Sequence, residues 1–151
     1  MRTIFLILII FFIFAQKHAY TEPKIIKKIS EIENFTFDFE QLINDKKETG
    51  NCIISFNNKM MCKYDETGKL IVSNGKTLLI KNKSSNFANT YKTENTYFKY
   101  FLNKEFLISK IVGNVVEKEQ NFLLLINDQS NQLSIFFDKK NYLIKGWETI
   151  D

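Results

Sequence analysis

A chain of 151 residues with 44% hydrophobic side chains, 1 Pro and 5 Gly can bury the core of one domain and is unlike a disordered segment. Its formal charge of +4 comes from 21 basic residues scattered among 17 acidic ones, without the basic stripe that tracks nucleic acid. The departure is aromatic content, with 15 Phe, 6 Tyr and 1 Trp, which suits a concave apolar surface that receives a ligand better than a core alone.

The first residues read as an export signal. Met1-Arg2 is a basic start, Ile4 to Phe14 is an unbroken apolar run, and charge returns at Lys17. A membrane-spanning helix needs about 20 apolar residues, so this run is too short and fits a cleaved signal peptide. Cleavage is expected after Ala19, with Ala15 as second choice. Loss of residues 1–19 removes Arg2, Lys17 and His18 and no acid, so the formal charge falls from +4 to +2. No Cys sits near the cut, which argues against a lipid-anchored amino terminus. Residues 20–151 are then a single domain in an oxidising compartment.

Beyond Pro23, Ile25, Ile26, Ile29 and Ile32 recur at three- and four-residue spacing among Lys and Glu, which predicts an amphipathic helix. The period then changes to two. Phe35, Phe37 and Phe39 alternate with Thr36, Asp38 and Glu40, so three rings line one face of a strand. Asn44 to Lys47 reads as a turn. Thr49 to Phe56 and Lys59 to Tyr64 form a hairpin through Asn57-Asn58, and Asp65 to Gly68 is a turn. Lys69 to Ser73 and Thr77 to Asn82 form a second hairpin through Asn74-Gly75.

Polar residues 81–94 read as a loop. Residues 95–112 turn helical, capped by Asn95 or Thr96, broken near Asn103 and closed by Gly113. Strands follow at about 114–120, 122–127, 132–137 and 142–149, with turns at Asp128 to Asn131 and Asp138 to Asn141. The expected fold is mainly β with α: hairpin links favour one antiparallel sheet, and eight or more twisted strands curl into a half-open barrel whose concave apolar face is covered by short helices.

Catalytic and metal chemistry is conspicuously thin. After the cut no His or Arg remains, which excludes a Ser-His-Asp or Cys-His apparatus and any His-ligated metal. There is no Gly-rich phosphate loop. Asp38 and Glu40 share one wet strand face, unlike a glycosidase pair facing each other across a cleft. The chain is therefore read as non-enzymatic, with no cofactor and no metal. Cys52 and Cys62 lie on adjacent strands with the same parity. A two-residue turn at Asn57-Asn58 would set Cys62 opposite Ile53 and forbid a bridge, whereas a longer loop or a bulge would permit one; given export, a disulfide is favoured over two buried thiols.

Several segments together resemble the outer-membrane lipoprotein carrier family (LolA). Ile32-Glu33-Asn34-Phe35-Thr36-Phe37-Asp38-Phe39-Glu40-Gln41 is similar to the family's first strand, in which alternating aromatics lead into a Gln. Gly50 opens the next strand, as in the family. Lys69-Leu70-Ile71-Val72-Ser73-Asn74-Gly75-Lys76-Thr77-Leu78 is similar to its Ser-Asp/Asn-Gly-Lys hairpin, and Gly146-Trp147-Glu148-Thr149-Ile150-Asp151 to a late Trp-containing strand. The resemblance runs from about residue 24 to the end.

The resemblance implies an incomplete barrel with a helical lid over an apolar cavity. Such a protein is a periplasmic monomer and chaperone that holds the acyl chains of lipoproteins. It receives them from an inner-membrane, ATP-driven releasing complex and passes them to an outer-membrane acceptor, with no cofactor. The expected acyl-binding lining is Phe35, Phe37, Phe39, Ile54, Leu70, Val72, Phe122 and Leu124, beneath lid residues Ile29, Phe98, Phe101 and Leu102. Two departures stand out. Many members place Arg-Pro after the second strand, where this chain has Phe56-Asn57-Asn58, so no lid-tying Arg carries over. The family also continues for a strand or more past the Trp-containing strand, so the domain is expected to be truncated at its carboxyl end or to form a shorter barrel. The alternative reading is a periplasmic lipid- or protein-sensing domain on a similar half-barrel.

Overall fold

A computed structural model describes residues 21–128 and 131–150. The expected signal segment, both candidate cleavage sites, and Gln129, Ser130 and Asp151 lie outside the described residues. The elements are, in order, α1 (Thr21–Glu31), β1 (Asn34–Ile43), β2 (Lys46–Ser55), β3 (Lys59–Tyr64), β4 (Leu70–Ser73), β5 (Thr77–Lys81), β6 (Ala88–Lys92), a 3-10 turn (Thr93–Asn95), α2 (Phe98–Leu102), α3 (Lys104–Ile111), β7 (Val115–Glu117), β8 (Asn121–Asp128), β9 (Asn131–Asp138) and β10 (Ile144–Ile150). The chain divides into two compact units, one built from Ile32–Leu107 and the other from the segments up to Glu31 and from Ile108 onward. The class is as expected, mainly antiparallel β with short helices. The expected single sheet is instead two sheets among the described residues, ordered β1-β2-β3-β4-β5-β6 and β10-β9-β8-β7, with no pairing that closes either.

In the first of these units every strand pairs with its neighbour in sequence, so its connections set its register. Ile43 faces Lys46 across a two-residue turn in which Asn44 and Asp45 both adopt positive φ (48° and 60°). This mirror-image turn matches the natural twist of paired strands and recruits Asn and Asp. It is tighter than the turn read from sequence, and Lys46 and Lys47 belong to β2. The β2–β3 connection has three residues, Phe56-Asn57-Asn58, with Asn58 at φ 68°. At the β4–β5 connection Asn74 Oδ1 accepts from the amides of Lys76 and Thr77, and Gly75 at φ +89° takes the conformation that L side chains resist.

The segment read as a loop contains a strand. Ala88–Lys92 is β6, fully exposed along its length, and it pairs with β5 from Thr77↔Lys92 to Lys81↔Ala88. Its residues, Ala-Asn-Thr-Tyr-Lys, carry no apolar alternation because an edge strand with no buried face needs none; the backbone ladder alone holds it. The helical break falls at Asn103, where φ and ψ are extended (−102°, 102°) and Oδ1 accepts from the Phe106 amide to cap α3. The cap expected from Asn95 or Thr96 does not form on α2. Asn95 ends the 3-10 turn, Tyr97 stands at the cap position but its side chain does not cap the helix, and the Thr96 hydroxyl donates back to Thr93 O.

In the other unit, β8 and β9 alternate strictly, burying Phe122, Leu124 and Ile126 opposite Phe137, Ile135 and Leu133. A register shift between Ile144 and Gly146 carries β10 past β9. α1 buries Ile25 and Ile29, as its spacing predicts. The Glu22 carboxylate accepts from the amides of Gly113 (2.9 Å) and Val115 (3.2 Å), which ties the helix to the start of β7. Lys24 Nζ donates to the Tyr142 hydroxyl, and the Tyr142 ring stacks on Phe122.

Candidate functional site

Residues directly opposite on antiparallel strands share a face, so the register of the six-stranded sheet defines its two surfaces. On one face run three cross-strand rows: Phe35–Ile54–Met60–Ser73–Leu78, Phe37–Cys52–Cys62–Ile71–Ile80 and Phe39–Gly50–Tyr64. This inner face is buried along its middle strands, where no side chain from Cys52 to Leu78 in these rows exceeds 6% exposure. At the β1 edge the three Phe rings are only half-buried. Phe35 and Phe37 stack with centroids 4.9 Å apart, and Phe39 meets Tyr64 edge-on at 4.8 Å. Ser73, polar among the aliphatic members of its row, is satisfied by the Thr93 hydroxyl at 3.2 Å and by the Gly75 amide, which donates to it at 3.0 Å.

Beyond Phe39 the inner face becomes polar. The Tyr64 hydroxyl donates to Gln41 Oε1 at 2.7 Å. Lys69 Nζ donates to Glu48 Oε2 at 2.7 Å and lies 3.7 Å from the centroid of the Tyr64 ring. Glu48 stands opposite Gln41 in the register. The hydrogen bond from Lys69 holds the Glu48 carboxyl below its ordinary range. Burial, reinforced by the negative charge of Glu48, pushes the Tyr64 phenol up to about 12. At neutral pH the cluster is therefore an ion pair beside a protonated phenol and an amide.

The disulfide favoured from sequence joins Cys52 to Cys62, which face each other with Cα atoms 4.1 Å apart. The three-residue β2–β3 connection is the longer loop that permits it. Phe35, Phe37, Phe39 and Ile54 share the inner face as expected. Leu70 and Val72 do not: Leu70 pairs with Lys63 and Val72 with Met61, on the outer face beside Lys81 and Leu79. Their inner-face counterparts are Ile71 and Leu78, which the sequence reading missed. Leu70-Ile71-Val72 is apolar at every position, so alternation could not pick a face, and a one-residue change of register flips every side chain.

Phe122 and Leu124 lie on the buried side of the four-stranded sheet, in the same unit as Ile29 of α1. Phe101 and Leu102 of α2 are buried and Phe98 is half-buried, all three in the unit of the six-stranded sheet. The polar cluster was not foreseen either. In sequence Gln41 is only the end of an aromatic run, and nothing there links it to Lys69. Among the described residues, no group of three or more His, Cys, Asp or Glu could hold a metal ion, and no helix is long and apolar enough to cross a membrane.

The family described as "Outer membrane lipoprotein carrier protein LolA" matches residues 30–151. Among solved structures, the chain is similar to a LolA superfamily protein from Nitrosomonas europaea, at 12% identity and a TM-score of 0.42, covering 88% of this chain and 73% of the other. No curated protein matches the chain by sequence.

Proposed function

The chain belongs to the outer membrane lipoprotein carrier (LolA) family, and on that premise we propose that it is a periplasmic, non-enzymatic carrier that takes lipoprotein acyl chains onto the inner face of the six-stranded sheet. The observation that carries the reading is that face: rows of rings and aliphatic side chains, buried at the centre and half-open along Phe35, Phe37 and Phe39. Moving a methylene out of water is worth about 0.8 kcal/mol, so acyl chains cross an aqueous compartment only under cover. The lining is Phe35, Phe37, Phe39 and Ile54 with Ile71 and Leu78. The lid is α2, through Phe98, Phe101 and Leu102. A five-residue helix between a short 3-10 turn and an extended Asn103 has few backbone hydrogen bonds to lose on opening. Cargo arrives from an inner-membrane releasing complex and leaves to an outer-membrane acceptor, carried by a monomer.

The test is binding of a synthetic triacylated lipopeptide, and of its unacylated form, to the exported protein. Saturable binding of the acylated form alone is expected. Phe37→Ala weakens it by about tenfold or more, the loss expected for one ring's apolar contact. Met61→Ala, on the outer face, leaves it unchanged. Equal binding of both peptides, or equal loss in both variants, overturns the assignment.

A further inference from the structure

The apolar rows of the inner face end at a cluster whose charges cancel. Its one cation, Lys69, sits 2.7 Å from Glu48, and both side chains are mostly screened, at 20% and 14% exposure. Lys46 also approaches Glu48, at 3.9 Å, but from solvent, with its own side chain 67% exposed. Tyr64, covered by Lys69 and Phe39, donates its hydroxyl hydrogen bond to Gln41 Oε1, which leaves the Gln41 NH2 group as a donor. Lys69 has spent one of three N–H groups on Glu48. The mouth of the aromatic run thus offers N–H donors without net positive charge.

We infer that Gln41, Glu48, Tyr64 and Lys69 form the subsite for the polar end of an acyl group, and that they select neutral ester- or amide-linked chains over free fatty-acid carboxylates. The inference rests on the carrier reading, because it presumes that the hydrocarbon lies along Phe35, Phe37 and Phe39. A carbonyl oxygen accepts from Lys69 or Gln41 while the Glu48 ion pair stays intact. A carboxylate must compete with Glu48 for the same ammonium, leaving one of two partly buried anions unpaired. Glu48 is the specificity element here, acting by exclusion.

The experiment compares palmitate with methyl palmitate, ligands of equal chain length, in displacing a polarity-sensitive fluorescent alkyl probe from the exported protein at neutral pH. The wild type is expected to bind the ester about tenfold more tightly than the acid. Glu48→Gln frees Lys69 and reverses that order. Gln41→Leu, which leaves the ion pair in place, weakens the ester severalfold without weakening the probe; it tests the subsite should Glu48→Gln fold poorly, as followed by its thermal transition. If the wild type binds acid and ester equally and neither variant alters the ratio, this inference falls while the carrier reading stands. If no acyl ligand, the triacylated lipopeptide included, displaces the probe, both fall.

Discussion

The ring of Phe39 lies across the backbone of Gly50, its cross-strand partner, so closely that a methyl group at position 50 would sit 2.6 Å from the Phe39 ring and collide with the Lys63 carbonyl oxygen on the other side. β2 is thus squeezed between an aromatic side chain and the next strand at the point where the apolar rows meet the polar cluster. Gly50→Ala must move either Phe39 or the β2–β3 ladder. Overpacking of this kind costs roughly 1–3 kcal/mol. Denaturant unfolding is expected to show a lowered midpoint with an unchanged slope, and acyl-ligand binding falls with it.

The Cys52–Cys62 bridge closes a short loop in the centre of the six-stranded sheet, with a sequence separation of 10. Constraint of the unfolded chain by a loop of this size contributes roughly 3 kcal/mol. Reduction, or the double substitution Cys52→Ser with Cys62→Ser, is expected to lower stability by that order in chemical denaturation. A transition that stays put on reduction would mean that the sheet holds its register without the bridge.

Opposite pH limits follow from one cluster. Glu48 is lowered from its ordinary 4.5, so its contribution is complete above pH 4.5 and is lost as pH falls through its depressed folded value. Tyr64 is raised from 10.0 to about 12, so its contribution is complete below pH 10 and disappears as pH rises from 10 to 12. Ultraviolet titration of tyrosinate is expected to include a late component near pH 12 that is lost in Tyr64→Phe. The acid limb of unfolding is expected to shrink in Glu48→Gln.

The Glu22 carboxylate is the side-chain acceptor for two backbone amides, those of Gly113 and Val115. Glu22→Ala leaves both without it, and hydrogen bonds to a charged partner are worth roughly 1.5–3 kcal/mol each, less where water can substitute. Faster hydrogen exchange at Gly113 and Val115, with a stability loss of about 1–2 kcal/mol, is the expected result. Glu22→Gln, which keeps one acceptor oxygen, is expected to fall between wild type and Ala.

Much of the fold is legible in the chain. Alternation of Phe35, Phe37 and Phe39 gives both the strand and its aromatic side. Asn44-Asp45 and Asn74-Gly75 mark turns because their side chains tolerate or satisfy unusual backbone. Asn103 and the isoleucines of α1 place helix limits and a buried stripe. β6 was not legible, because an exposed edge strand is recorded only in backbone pairing.

What the sequence determined is local: element type, turn positions, and the face of any strand whose residues alternate, because these follow from side-chain period and backbone preference within a few residues. Register comes from long-range packing alone. The three-residue Phe56-Asn57-Asn58 connection set Cys52 against Cys62, and the pairing of β3 with β4 turned Ile71 inward and Leu70 and Val72 outward. It also brought Gln41, Glu48, Tyr64 and Lys69 into one polar cluster. Those contacts span 5 to 23 residues of chain and depend on loop lengths whose single-residue differences carry almost no free energy locally, yet reverse every face downstream.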